Sequence, residues 1–275
     1  MSYLPRVAAA NSAEWGDLVA ELDRWEEAGF VAQLWWRDDD AVALTPQLDR
    51  LLTLAGPAPL ALAVIPADAK RELAAALDGF PQASVLHHGW CHANHATTGK
   101  KSEYPAERHP VDVADELDEG RRQMRVLFGE RALKVFVPPW NRFADRFVPL
   151  LGEAGFVAIS QMAPRKSPLA QGILGGIAAI DVHLDVVDWH EGRGFVGDAP
   201  VLGRLVGELR ARRHGARSQD NRNQDNRYQD ELGAVGLLTH HLVMDDATED
   251  FLARLCEVVA THAAALWVDI RELAP

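Results

Sequence analysis

The chain has 275 residues, 48% of them apolar, with 28 Lys and Arg against 40 Asp and Glu and a formal charge of −12. This is ordinary globular composition, which excludes wholesale disorder, collagen and a coiled coil. The acidic balance argues against a nucleic-acid binder, which needs a basic stripe, and against docking to an anionic membrane surface.

In chain order, residues 11–28 predict a helix, with Asn11 and Glu14 as a capping box and Trp15, Leu18, Val19, Leu22 and Trp25 as its apolar stripe. FVAQLWW (30–36) predicts a buried strand, ending in the polar run Arg37 to Asp40. Thr45-Pro46 opens a helix that reaches about Ala55. A strand at 60–65, a helix at 68–78 and a strand at 83–87 follow. Beyond a long polar loop come a helix at 112–128, a strand at 133–137, a helix near 144–154 and a strand at 156–160. Another strand within 176–182 precedes a helix at 199–213, a strand at 235–239, a helix at 247–262 and a strand at 265–270. The tract 217–231 repeats QDNR and holds almost no apolar residue, so it is expected as a mobile surface insertion spanning about 215–232.

About seven strands alternating with helices imply parallel βαβ units, and the expected fold is a distorted or incomplete (β/α) barrel in a single domain, 1–275. No window holds eighteen consecutive apolar residues, and the N-terminus lacks a charged start followed by an apolar run. The two cysteines, Cys91 and Cys256, form no disulfide framework. A cytoplasmic location with no membrane partner is the expectation.

In a barrel the chemistry collects behind the C-terminal ends of the strands. There the sequence sets Asp38-Asp39-Asp40, His87 to His92, Pro138 to Arg142, Asp185 with Asp188-Trp189-His190, and His240-His241. An acidic run can also be a solvated capping loop. Successive strand residues point to opposite faces, so all three aspartates cannot reach one point, but two can if the chain bends. One could bind a metal while its neighbour takes a proton from water. His88 and His92 would stand roughly 13 Å apart in an extended strand, but about 6 Å apart on a helical turn, for which Gly89 offers an exit. With an aspartate they form an N/N/O set that leaves positions open on a divalent ion. Cys91, between them, is expected to pack. One of His240 and His241 can face the site as a general acid, with Asp185 or Asp188 orienting it through a hydrogen bond. Trp35, Trp36, Trp90, Trp140 and Trp189 lie in or beside these clusters, where a sugar face could stack.

Taken in order over roughly residues 30–270, these clusters resemble the five motifs of the polysaccharide deacetylase family, carbohydrate esterase family 4. RDDDA (37–41) resembles the first, HGWCH (88–92) the second, VPPWN (137–141) the third, DVVDW (185–189) the fourth and LLTHH (237–241) the fifth. The resemblance implies a hydrolase that removes an acetyl group from an N-acetylated sugar or related amide by attack of metal-bound water. In it Asp39 is the base, Asp40, His88 and His92 are the metal ligands, and His240 is the acid. The register of the aspartates is chosen because Arg37 and Ala41 then flank the pair. Arg37, Trp90, Pro139, Trp140, Arg142, Asp188, Trp189 and His241 are the substrate-binding or orienting candidates.

The implied cofactor is one divalent ion, zinc first, with cobalt, nickel or iron as alternatives. The implied partner is a small carbohydrate or N-acetylated molecule; a cytoplasmic address fits a soluble precursor better than an assembled polymer. Three departures mark a divergent branch. Val137 stands where the third motif opens with an arginine, a role open to Arg37 or Arg142; Ala41 replaces a glycine; and Gly89 replaces a small hydroxyl residue. KKSEY (100–104) has no counterpart. A non-catalytic relative, and less so a different metal hydrolase, are the competing readings.

Overall fold

The computed structural model describes residues 13–163, 173–174, 176–190, 192–220 and 233–275. The chain runs α1 (Ala13–Glu27), β1 (Ala32–Ala41), α2 (Pro46–Ala55), β2 (Leu60–Val64), α3 (Arg71–Ala76), β3 (Ala83–His88), α4 (Pro110–Phe128) and β4 (Ala132–Val137). It continues through α5 (Val148–Glu153), β5 (Ala158–Ile159), β6 (Ile173–Leu174), β7 (Ile177–Ala179), β8 (Leu184–Asp185), α6 (Asp198–Asp220), β9 (Val235–Thr239), α7 (Asp246–Thr261), β10 (Ala265–Trp267) and α8 (Ile270–Leu273). Local chemistry fixes several starts. Thr45 caps α2, its hydroxyl accepting from Leu48 N–H at 3.1 Å, with Pro46 in the first turn. Asp245 caps α7 through Thr248 N–H at 2.8 Å.

The strands pair in the order β6-β7-β5-β4-β3-β2-β1-β9-β8, with β10 beside the start of β1. All pairings are parallel except the β6–β7 hairpin. The run 177–185 curls the sheet back on itself. Ala178, Ile180 and Val182 donate their N–H groups toward β5 and the loop after it, whereas His183 donates to Gly236 of β9. A Cβ at Gly236 would lie 2.5 Å from Trp35 Nε1, 2.7 Å from Asp181 O and 2.7 Å from Val182 Cα. Only a residue with no side chain lets the run pass that close. The result is a distorted (β/α) barrel.

Strand alternation then sorts the core. Trp35, Ala61, Ala63, Leu86, Val135, Val137 and Leu238 fill the lumen, with Val268 and Ile270 in the same cluster. Leu34, Trp36, Leu62 and Val85 face outward against α1, α2, α6 and α7. A third cluster packs α4 and α5 over β4 and β5 through Phe136, Phe147 and Leu151.

Four expectations change. The strand foreseen at 30–36 continues to Ala41, because Leu34 to Asp38 pair with β9 while Arg37 to Ala41 pair with β2, so the polar run is held inside the sheet. The last strand stops at Trp267, because the Asp269 carboxylate caps α8 by accepting Arg271 N–H at 2.9 Å. The helix foreseen at 199–213 extends to Asp220, with no proline after its first turn. Residues 215–220 of the tract foreseen as a mobile insertion thus lie in this helix, and its residues 221–232 lie outside the described residues. No described helix is long and apolar enough to cross a membrane.

Candidate active site and metal centre

The three aspartates go to three places. Asp38, on the outer face with Trp36, accepts from Thr239 Oγ1 at 2.7 Å, from His241 N–H at 2.9 Å and from His241 Nδ1 at 2.5 Å. Asp39 faces the lumen two residues beyond Arg37. Asp40 takes a left-handed φ of 74°, where the β1–β2 register shifts between Asp38 and Ala41. That irregularity is the bend that lets neighbouring carboxylates serve one site.

Arg37 is wholly buried and reaches up the lumen. Its Nε lies 2.8 Å from Asp39 Oδ1, and Nη2 donates to Asp39 Oδ2 at 3.0 Å. The remaining donors go to Asn141 Oδ1 at 2.8 Å, Ser160 Oγ at 2.7 Å and Ser160 O at 3.0 Å. A planar fork suits this many acceptors. Arg142 takes no part: its guanidinium donates to Lys101 O at 2.9 Å.

His88 closes β3, and its Nε2 lies 3.1 Å from Asp40 Oδ1; His92 Nε2 lies 3.3 Å from the same oxygen. The two rings stand 5.1 Å apart without a helical turn between them. The exit is instead an irregular bend, with Gly89 at φ 59° and His92 at φ 56°. Nδ1 of His88 donates to Val137 O at 3.0 Å, which fixes the ring with Nε2 toward Asp40. One ligand atom from each of Asp40, His88 and His92 falls within 4.8 Å of the others. This neutral-imidazole and carboxylate set, with its orienting hydrogen bond, suits a divalent ion.

Burial opposes the Asp40 charge, but the hydrogen bond from His88 and the nearby His88, His240 and His92 hold its carboxyl well below the ordinary range. Burial also works against a charged His88, yet Asp39 and Asp40 raise its pKa. In His92, burial and then His88 lower it. Burial and the adjacent Glu103 push the Cys91 thiol up to about 11.

Around this centre, Trp140 and Asn141 both hold left-handed φ values, 55° and 56°, uncommon for residues other than glycine. The bend sets Trp140 against His92, ring centroids 4.3 Å apart and tilted by 54°, and carries Asn141 to Arg37. Pro139 is buried behind Gly89. The Trp90 carbonyl anchors the Ala67 N–H at 3.0 Å.

His240 meets Trp189 edge-on at 4.7 Å, while His241 turns outward to Asp38. The hydrogen bond foreseen from Asp185 or Asp188 to the acid is absent among the described residues: His240 Nδ1 is buried without one. Asp185 instead accepts from Trp189 Nε1 at 2.7 Å and Val187 N–H at 3.0 Å, and Asp188 from His190 N–H at 2.8 Å. Burial raises the Asp185 carboxyl against the opposing pull of His240. Sequence reasoning did not assign Asn141, Ser160 or Asp38. Ser160 sits just past β5, where the strand-end rule would have found it.

This is the fold of the family 4 carbohydrate esterases. No family model and no curated protein matches the sequence. Among solved structures, a Mycobacterium smegmatis protein assigned as a polysaccharide deacetylase is 17% identical, covering 89% of each chain with a TM-score of 0.56. A Streptococcus mutans family 4 esterase is 12% identical, covering 90% of this chain and 91% of its own, with a TM-score of 0.54. A Clostridium thermocellum family 4 acetyl xylan esterase, solved with a cobalt ion, is 13% identical over 88% of this chain and 89% of its own, with a TM-score of 0.50.

Proposed function

We propose that this protein is a divalent-metal-dependent hydrolase that removes the acetyl group from a small N-acetylated sugar or related amide in the cytoplasm. The observation that carries this reading is the convergence of Asp40, His88 and His92 beside an aspartate, Asp39, held by a buried arginine. Asp40, His88 and His92 would hold the ion, zinc first, which supplies Lewis acidity toward water and a carbonyl oxygen.

Asp39 is the base. Arg37 donates to its Oδ2 and stands 2.8 Å from its Oδ1, so it enters the reaction already oriented, and it accepts a proton from water at the barrel mouth. His240, from the neighbouring β9 end, donates a proton to the leaving nitrogen. Trp140 and the exposed Trp189 flank the centre and offer flat faces for a sugar ring. Arg37 also weakens the case for a non-catalytic relative, since it meets Asp39 where the arginine missing at Val137 would be needed.

The test begins with chelator-stripped protein and a calorimetric zinc titration. One ion per chain in wild type, lost in His88→Ala, is expected. The loaded enzyme should release acetate from N-acetylated sugars. Asp39→Asn should keep the ion and lose about 10²–10⁴-fold in rate. A wild type that binds zinc, cobalt and nickel not at all sinks the hydrolase reading; ion binding without acetate release from any N-acetylated amine would favour the non-catalytic one.

A further inference from the structure

Gly89 to His92 must turn sharply at the end of β3 to bring the second imidazole back over Asp40. Gly89 has no side chain to brace the turn, which ends on a left-handed His92. Gly89 N–H still donates to Val137 O of β4 at 3.1 Å, but the next two amides look outward to a single residue of the 100–104 segment. Trp90 N–H donates to Glu103 Oε2 at 3.2 Å, and Cys91 N–H donates to Glu103 Oε1 at 2.8 Å. The fit leaves no slack, since a Cβ at Gly89 would lie 2.0 Å from Glu103 Oε2 and 2.5 Å from Pro139 Cγ.

Glu103 has no exposed surface. A buried carboxylate needs donors, and the two partly buried amides supply them. The carboxylate is itself firmly seated. Tyr104, the next residue, is buried with its ring against Phe136 and Phe143, and its carbonyl accepts Ala144 N–H at 3.1 Å. On the other side, Ser102 N–H donates to Asn94 Oδ1 at 2.9 Å.

We propose that Glu103 is a positioning residue: it clamps the 89–92 turn from behind and thereby aims His92 at the ion site. The proposal rests on the metal centre assigned above. The two amides need both oxygens. Glutamine offers one acceptor, and its NH₂ would face the other amide, so even this isosteric change opens the turn.

Zinc titrations of wild type, Glu103→Gln, His92→Ala and the double variant test it, each with a thermal melt of the metal-free protein. Glu103→Gln should weaken zinc about 10–100-fold, as loss of an orienting partner does. The double variant should bind no more weakly than His92→Ala alone, because the clamp acts only through that ligand. The visible cobalt spectrum of Glu103→Gln should move toward that of His92→Ala, a change that simple destabilisation would not produce. Should Glu103→Gln fail to fold, Glu103→Asp carries the same comparison, with both oxygens withdrawn by one methylene. Zinc affinity within twofold of wild type, or losses that multiply in the double variant, would overturn the clamp alone. A wild type that binds no ion would overturn the metal centre and the clamp with it.

Discussion

Arg37 and Asp39 are two residues apart on one strand, so alternation puts both in the lumen, where water is scarce and an unpaired charge is costly. Removing the cation leaves the buried Asp39 carboxylate without a counter-charge and takes the donor from Asn141 Oδ1 and Ser160. Arg37→Met should therefore cost about 3–5 kcal/mol in urea denaturation, the usual loss when one partner of a buried pair is deleted. Arg37→Lys separates stability from catalysis. An ammonium keeps the charge but cannot serve Asp39, Asn141 and Ser160 in one plane, so stability should fall less, zinc binding at Asp40, His88 and His92 should persist, and turnover should drop. Unchanged turnover in Arg37→Lys would remove the orienting role from Arg37. The strand-end pattern alone places a carboxylate cluster here, and it is the family resemblance that tells Asp39 from Asp40. Which aspartate faces which way follows from the irregularity at Asp40, and a left-handed aspartate leaves no mark in composition or periodicity.

At the level of elements, the barrel depends on how closely the run 177–185 approaches β9. The alternation of apolar runs with helical patterns made the parallel sheet and its order of clusters readable in the sequence. The short strands were less so: β5, β7 and β8 hold two or three residues each, and their pairing is fixed by contacts distant in sequence. Gly236 is one such contact. Gly236→Ala inserts a methyl against Trp35, Asp181 O and Val182, two of those neighbours being backbone that cannot swing aside. Overpacking of this kind costs typically about 1–3 kcal/mol. Urea denaturation of metal-free protein should show a loss in that range, with an unchanged slope. No loss would mean that the seam is looser than the geometry describes. A turn at Gly89 was foreseen, but its irregular form was not, because its partner Glu103 comes from a segment that no strand-end pattern points to.

For the whole molecule, the same seam makes stability depend on pH. His183 joins three elements: its Nδ1 accepts Gly236 N–H at 2.9 Å, and Arg212 of α6 lies 2.8 Å from its Nε2. Burial first and then Arg212 push its pKa down to about 3, and burial pushes that of His87 down to about 3 as well. The unfolded chain protonates these imidazoles near 6.5, so below that pH it binds protons the folded chain refuses. Stability from each is thus intact above about 6.5 and is lost as pH falls toward 3, by at most about 1.4 kcal/mol per pH unit per histidine. His88 and His241, whose pKa values are raised, behave oppositely, but their contribution changes only above the unfolded value and is flat between pH 6 and 5. The raised carboxyls of Asp181 and Asp185 gain stability on acidification, so the net slope mixes signs. A variant isolates one group. Measured in chelator, so that proton competition with an ion does not enter, His183→Gln should be less stable than wild type at pH 7, and the gap should narrow by up to about 1.4 kcal/mol between pH 6 and 5. Glutamine can still accept from Gly236, which keeps the variant folded enough to measure. A gap that stays constant over that interval would mean that His183 takes up its proton in the folded state as readily as in the unfolded chain, and that the seam tolerates the charge.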